Sequence, residues 1–227
     1  MPPSKRRAAV LIIGFVLPFF LGGAEAESLR YAIKWPSGLS LGEATLSTEL
    51  TERGYSQALD IDASLPAYTI HDRYVSVETA ALCTIEFERT AEHGPRKTAE
   101  RIRVAPDGTI TRETTKGGSS PIAAGSCPHD ALALLFSARR ELQQNRLPAA
   151  QTVLFGAGYP VRFEMAAPEN ISIGEKPAQA DKVICILTLP KLGDYRIEMF
   201  FLRDQTRTPA LIRAPFALGT FSMELVR

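Results

Sequence analysis

Apolar and polar residues alternate with a period of two along most of this chain, and that alternation leaves few folds open to it. In "LRYAIKW", Leu29, Tyr31, Ile33 and Trp35 fall on one side and Arg30 and Lys34 on the other. This is the pattern of a strand with one buried and one wet face. "PSG" then marks a turn, and "GEATLSTELT" and "YSQALDIDASL" read as the next two strands, joined through "ERG". From "CTIEFERTAEHG" to "RKTAERIRVAPDGTITRETT" the same pattern predicts a hairpin around Gly94-Pro95 and another around Asp107-Gly108, a dipeptide that accepts the positive φ of a tight turn.

The period changes once. In "DALALLFSARRELQQNR", residues 130–146, Leu132, Leu135, Phe136 and Leu142 recur three and four apart, which predicts a helix. Asp130 stands at its N-cap, where losing the side chain would cost about 1 kcal/mol. After it the strand pattern resumes in "TVLFG", "YPVRFEMAA", "NISIGEK", "KVICILTLP", "YRIEMFFLRD", "PALIRAPFA" and "GTFSMELV". Two runs of strands around one helix predict a mainly β fold: a large antiparallel sheet, curved or partly closed, packed on a single α-helix.

The N-terminus carries a different pattern. Lys5, Arg6 and Arg7 precede the apolar run "AAVLIIGFVLPFFL", and small residues follow, ending in Ala24-Glu25-Ala26. That is the layout of a secretory signal peptide, with cleavage expected after Ala26. The apolar run is shorter than the roughly 20 residues of a membrane span, so no span is expected once the signal is removed. Residues 1–26 are therefore read as a cleaved leader and 27–227 as one β-rich domain exported to the periplasm. Removing Lys5, Arg6, Arg7 and Glu25 from totals of 26 basic and 25 acidic residues leaves 23 against 24, with the bases scattered among acids. Such a balance gives no footprint for nucleic acid.

Export changes how the three cysteines read, because an oxidising compartment lets thiols pair. Cys83 opens a strand, and Cys127 lies in the Gly- and Ser-rich connection "KGGSSPIAAGSCP"; these two are expected to form the disulfide. Closing a loop of about 45 residues is worth roughly 4 kcal/mol by chain entropy. Cys185, inside "KVICILTLP", is expected to pack as a buried thiol. The alternative is three reduced cysteines. "GSCPHD" then reads as a staple, a turn and a helix cap, with His129 incidental.

No motif singles out catalysis, a cofactor or a metal. His71, His93 and His129 show no paired metal-ligand spacing. There is no Gly-x-Ser-x-Gly elbow, and "SIGEKP" lacks the upstream glycine and the hydroxyl residue of a phosphate loop. His71-Asp72 and His129-Asp130 are sequence neighbours, whose side chains diverge on a strand. Glu86, Glu88, Glu198 and Asp204 are the acids a hydrolase would draw on, but they occupy polar positions of alternating strands, and no spacing picks a pair.

The order "LRYAIKW…LGEATL", then "CPHDALALLFSARREL", then "FFLRDQTRTPALIR…GTFSMEL" resembles the exported bacterial family catalogued as domain of unknown function 3108. Its marks here are Gly42, Glu43 and Ala44 in an early strand, Asp130 and Arg139 on the helix, and Asp204 and Pro209 before the last strands. The resemblance implies fold and compartment and carries no activity. By themselves, Gly42 suggests a bulge or a close backbone approach, Arg139 a solvated or ion-paired residue on the polar side of the helix, and Asp204 a turn.

The expectation is a non-catalytic protein of the cell envelope. A curved sheet over one helix would shield a lipid or other apolar ligand, with Leu132, Leu135, Phe136 and the strands "VICILTL" and "IEMFFL" lining a cavity or filling an ordinary core. The alternatives are a scaffold that binds an envelope protein, and a hydrolase working through acidic residues.

Overall fold

The computed structural model describes residues 26–65, 68–115, 117, 119–123, 125–191, 193–216 and 219–226, so all of the expected leader but Ala26 lies outside the described residues. The first run of strands is β1 (Glu27–Lys34), β2 (Ser40–Thr51), β3 (Gly54–Leu65), β4 (Tyr68–Glu78), β5 (Thr84–His93), β6 (Arg96–Val104), β7 (Ile110–Thr114) and β8 (Ser119–Ile122). The short β9 (His129–Asp130) leads into α1 (Ala131–Gln143). The second run is β10 (Gln151–Leu154), β11 (Gly158–Met165), β12 (Glu169–Ile173), β13 (Lys176–Leu189), β14 (Gly193–Leu202), β15 (Pro209–Phe216) and β16 (Gly219–Val226).

One sheet holds all of them. Its order runs from β8 down to β1, then β16 down to β13, then β11, β10 and β9, with β12 attached to β13. Every pairing is antiparallel except β9 with β10. The two runs join where β1 pairs with β16, which sets Tyr31 opposite Leu225. The hydrogen-bonded path does not close on itself, yet the sheet curls until its two ends meet through side chains. Phe155, just after β10, stacks near Tyr74 of β4 and Phe87 of β5, with centroids 6.2 and 6.4 Å away. A Cβ added at Gly158 would lie 3.1 Å from the Ala123 carbonyl beyond β8.

Inside the curl, Leu132, Leu135, Ala138 and Leu142 of α1 pack against Tyr31, Leu46, Val183, Cys185, Phe200 and Phe201. Phe87, Ile102, Ile110 and Leu154 form a second cluster where the sheet ends meet. The side chains that sequence offered as cavity lining thus serve mainly as core, with Phe136, Ile184, Leu187 and Ile197 half buried. The helix is shorter than 130–146. It stops at Gln143, and Asn145 turns the chain with φ 55°.

Two strands depart from the simple alternation. β4 is a strand the period rule does not pick out, because its inward residues Asp72, Ser76 and Glu78 are polar and buried while Val75 and Val77 face outward. In β2, Ile33 pairs with Gly42 and Lys34 with Ser40, which leaves Leu41 as a bulge. Beside it Gly42 runs so close to β3 that an added Cβ would lie 2.0 Å from the Asp62 carbonyl oxygen, so no larger residue fits without moving the backbone.

The antiparallel order gives the sheet two distinct ends. At one, the β2–β3 and β4–β5 turns and the 203–208 loop surround α1. At the other lie the hairpins that join β1 to β2, β3 to β4, β5 to β6, β13 to β14 and β15 to β16.

Candidate functional site

An open cleft of about 630 Å³ lies at the helix end. Phe136, Arg139, Arg140 and Gln143 of α1 form one wall, and Glu27, Ser28, Thr48 and Tyr55 of the strands form the other. Leu82 and Thr206 close its sides, and Gln57 lies at its base. Arg139, read as a solvated or ion-paired residue on the polar side of the helix, is ion-paired and only 6 % exposed. Its guanidinium donates to both Glu27 carboxylate oxygens, at 2.6 and 3.0 Å, and to the Thr206 carbonyl, and it lies 4.9 Å over the Phe136 ring. The helical period marks Arg139 as off the apolar stripe, but the 203–208 loop and β1 wrap that flank and bury it. Arg140 donates to the Ala80 and Ala81 carbonyls. A guanidinium has five N–H donors, so Arg140 keeps donors for an anion.

Beneath Gln57 runs a column of buried polar groups along β4. Asp130 is at its centre. One carboxylate oxygen accepts from the Leu132 and Ala133 amides at 2.8 and 3.2 Å, which caps α1, and the other accepts from the Ser76 and Thr84 hydroxyls at 2.5 and 2.8 Å. Thr84 Oγ1 in turn accepts from the Asp130 amide at 2.8 Å. Burial pushes the Asp130 carboxyl above its ordinary range, and these hydrogen bonds hold it back. Glu78, fully buried, accepts from Gln57 Nε2 at 2.9 Å. Burial first, and then the Asp130 charge, push its pKa up to about 8, so it carries a proton at neutral pH. Its Oε1 and the Gln57 Oε1 have no hydrogen-bond partner among the described residues.

The column continues along β4 toward the hairpin end. Tyr74 donates to Asp72 at 3.0 Å, and His93 bridges to the same carboxylate at 2.8 Å. Arg89 lies 5.6 Å from the Tyr74 ring centroid and 5.1 Å from that of Phe155. Burial pushes the Tyr74 hydroxyl up to about 12. None of Gln57, Ser76, Glu78, Tyr74 or Arg89 is singled out by spacing, because apart from the Tyr74–Asp72 bond within β4 their partners lie on other strands or on the helix.

The other residues named from sequence fall outside the cleft. Cys83 and Cys127 are joined by a disulfide that ties the β4–β5 turn to the segment before α1. Cys185 is a free buried thiol, pushed by burial up to about 12. His129 is buried. Burial holds its pKa below the ordinary histidine value, with Gln151 pulling the other way. Glu43 is exposed on β2, and Pro209 opens β15, its carbonyl accepting from the Tyr31 hydroxyl at 2.7 Å. Asp204 accepts from the Thr208 amide and hydroxyl and from the Thr206 hydroxyl; burial raises its pKa, but these bonds outweigh that and hold it low. The remaining hydrolase candidates are engaged in ion pairs: Glu86 and Glu88 with Arg101, and Glu198 with Lys182 and Arg213.

Among the described residues no helix is long and apolar enough to cross a membrane. No group of three or more His, Cys, Asp or Glu could hold a metal ion there.

The architecture has a solved counterpart in a crystal structure titled as a beta-barrel-like protein of domain of unknown function DUF1849 from Brucella abortus. The two superpose with a TM-score of 0.64 over 88 % of this chain and 95 % of that one, at 10 % identity, which is a likeness of fold. No curated protein matches the chain in sequence. The model of the family described as protein of unknown function (DUF3108) matches residues 30–226, and the chain belongs to that family.

Proposed function

We propose that this protein is exported to the periplasm, where it acts without catalysis as a binding protein of the cell envelope. Its ligand is an amphiphile, an acyl chain with an anionic head, held in the cleft at the helix end. The carrying observation is the cleft itself. Its volume falls within the range of small-molecule sites, and it sets the apolar surfaces of Phe136, Leu82 and Tyr55 beside the cationic Arg140. The leader-like N-terminus supports the compartment. Gln57, buried and short of one partner at the base, offers the ligand a polar anchor.

Native mass spectrometry of the protein recovered from a periplasm, followed by organic extraction, tests this. The expected result is a mass excess that extracts as a defined acyl species and disappears in Gln143→Trp, which fills the cleft from an exposed helix position. A bare polypeptide mass for the unaltered protein, or an adduct indifferent to Gln143→Trp, overturns the assignment of the cleft.

A further inference from the structure

The hairpin end has a chemistry of its own, independent of the cleft. Five hairpins that are neighbours in the sheet end there. Leu39 is 66 % exposed, Phe216 60 % and Tyr68 39 %. Trp35 and Phe221 stand between them, with Phe221 4.8 Å from the Trp35 ring and 5.2 Å from that of Phe216. Large apolar side chains gathered at turn tips and left in water mark an interaction surface.

Charge identifies what the surface meets. Residues 35–39, 65–68, 94–97, 189–193 and 216–221 contain no acid, while Arg96, Lys97 and Lys191 supply only positive charge. Among the acids just below the tips, Glu92 pairs with Lys97, Asp194 with Arg162 and Glu224 with Lys34, and Asp62 lies against His71, while Glu43 is exposed and makes no ion pair among the described residues. Arg96 and Lys191 make no ion pair among the described residues, although both are exposed. The turns at the helix end, by contrast, mix Glu52, Asp107, Glu175 and Asp204 with Arg53, Arg203 and Arg207. Ten adjacent strands at about 4.8 Å spacing spread the tips over roughly 40 Å along the curve of the sheet. A partner that is broad, apolar beneath and anionic at its face is a lipid bilayer. Trp and Tyr are the side chains that settle at its headgroup level.

We propose that the hairpin end docks on a bilayer carrying anionic headgroups, with Leu39, Trp35, Phe216 and Tyr68 entering the interface and Arg96 and Lys191 meeting the headgroups. The test is co-sedimentation of the purified protein with vesicles of phosphatidylethanolamine alone or mixed with phosphatidylglycerol. Residues 1–26 carry their own basic cluster and apolar run, so all variants carry the same N-terminus and are compared with one another. The expected result is partition onto the mixed vesicles that falls at least about tenfold in Leu39→Ser with Phe216→Ser, because apolar area drives insertion. Arg96→Glu with Lys191→Glu lowers it roughly fivefold or more and removes the preference for the anionic lipid. All four positions are exposed, and unchanged unfolding midpoints confirm that the fold is kept. No partition of the unaltered protein, or partition indifferent to both substitution pairs, overturns the proposal. So does a vesicle-independent dimer that Leu39→Ser with Phe216→Ser dissolves, since that assigns the tips to a second copy of the chain.

Discussion

The two ends of the sheet solve opposite problems. At the helix end every element is tied to something distant in sequence. A disulfide spans 44 residues, Asp130 reaches Ser76 and Thr84 across 54 and 46, and Arg139 reaches Glu27 across 112. At the hairpin end the turns are local and their largest side chains face water. Stability is therefore concentrated at the end that holds the cleft, and the other end is free to be sticky. The cost shows in Glu78: a carboxyl buried in proton-bearing form beside a second carboxyl is a poor choice for folding alone.

The contrast can be broken by substitutions of decreasing expected effect. Replacing Cys83 and Cys127 by serine removes the covalent tie at the helix end and should lower unfolding free energy by about 4 kcal/mol in urea titration, since the open loop regains its chain entropy. Asp130→Ala should cost about 3 kcal/mol, more than an ordinary cap, because the Ser76 and Thr84 hydroxyls lose their acceptor along with two helix amides. Equality with the roughly 1 kcal/mol of an isolated cap would show that the network adds nothing.

Glu78 sharpens the comparison through pH. Its folded pKa, about 8, lies above the ordinary 4.5, so folding favours the protonated acid. The stability this gives is complete below pH 4.5 and is lost as pH rises toward 8, a fall on the order of 3 kcal/mol. Glu78→Gln, which keeps the shape and cannot ionise, should flatten that fall in urea titrations run from pH 5 to pH 8. At the far end of the scale, Leu39→Ser with Phe216→Ser should leave stability within about 0.5 kcal/mol of the parent, as surface positions do.

Legibility followed the direction in which each strand faces. β1 and β2 show their alternation because Tyr31, Ala44 and Leu46 make their inner faces apolar, and β3 and β5 keep it through Leu59, Ile61, Phe87 and Ala91 although Gln57, Thr84 and Arg89 also face in. β4 hides it, since Asp72, Ser76 and Glu78 face in and Val75 and Val77 out, the reverse of the usual pattern. Asp130 is readable as a cap from its place before an apolar helix, but its partners on β4 and β5 are set by tertiary folding. The same holds for Arg139, whose helical position is polar by period and whose burial depends on Glu27 and the 203–208 loop. Gly42 is the case where the sequence offered two readings, bulge or close approach, and the structure contains both. The cleft is not readable at all, because six separate segments build it and of its walls only Phe136 and Arg139 stand out in the sequence.

Amide hydrogen exchange with and without anionic vesicles tests the division between the two ends most directly. The account predicts slow exchange in α1, β4 and the start of β5 under all conditions, fast exchange in the hairpin turns in solution, and new protection on vesicles confined to turns such as 35–39, 94–97 and 189–193. Uniform protection of both ends in solution, or vesicle protection appearing around α1 instead of the hairpins, would contradict it.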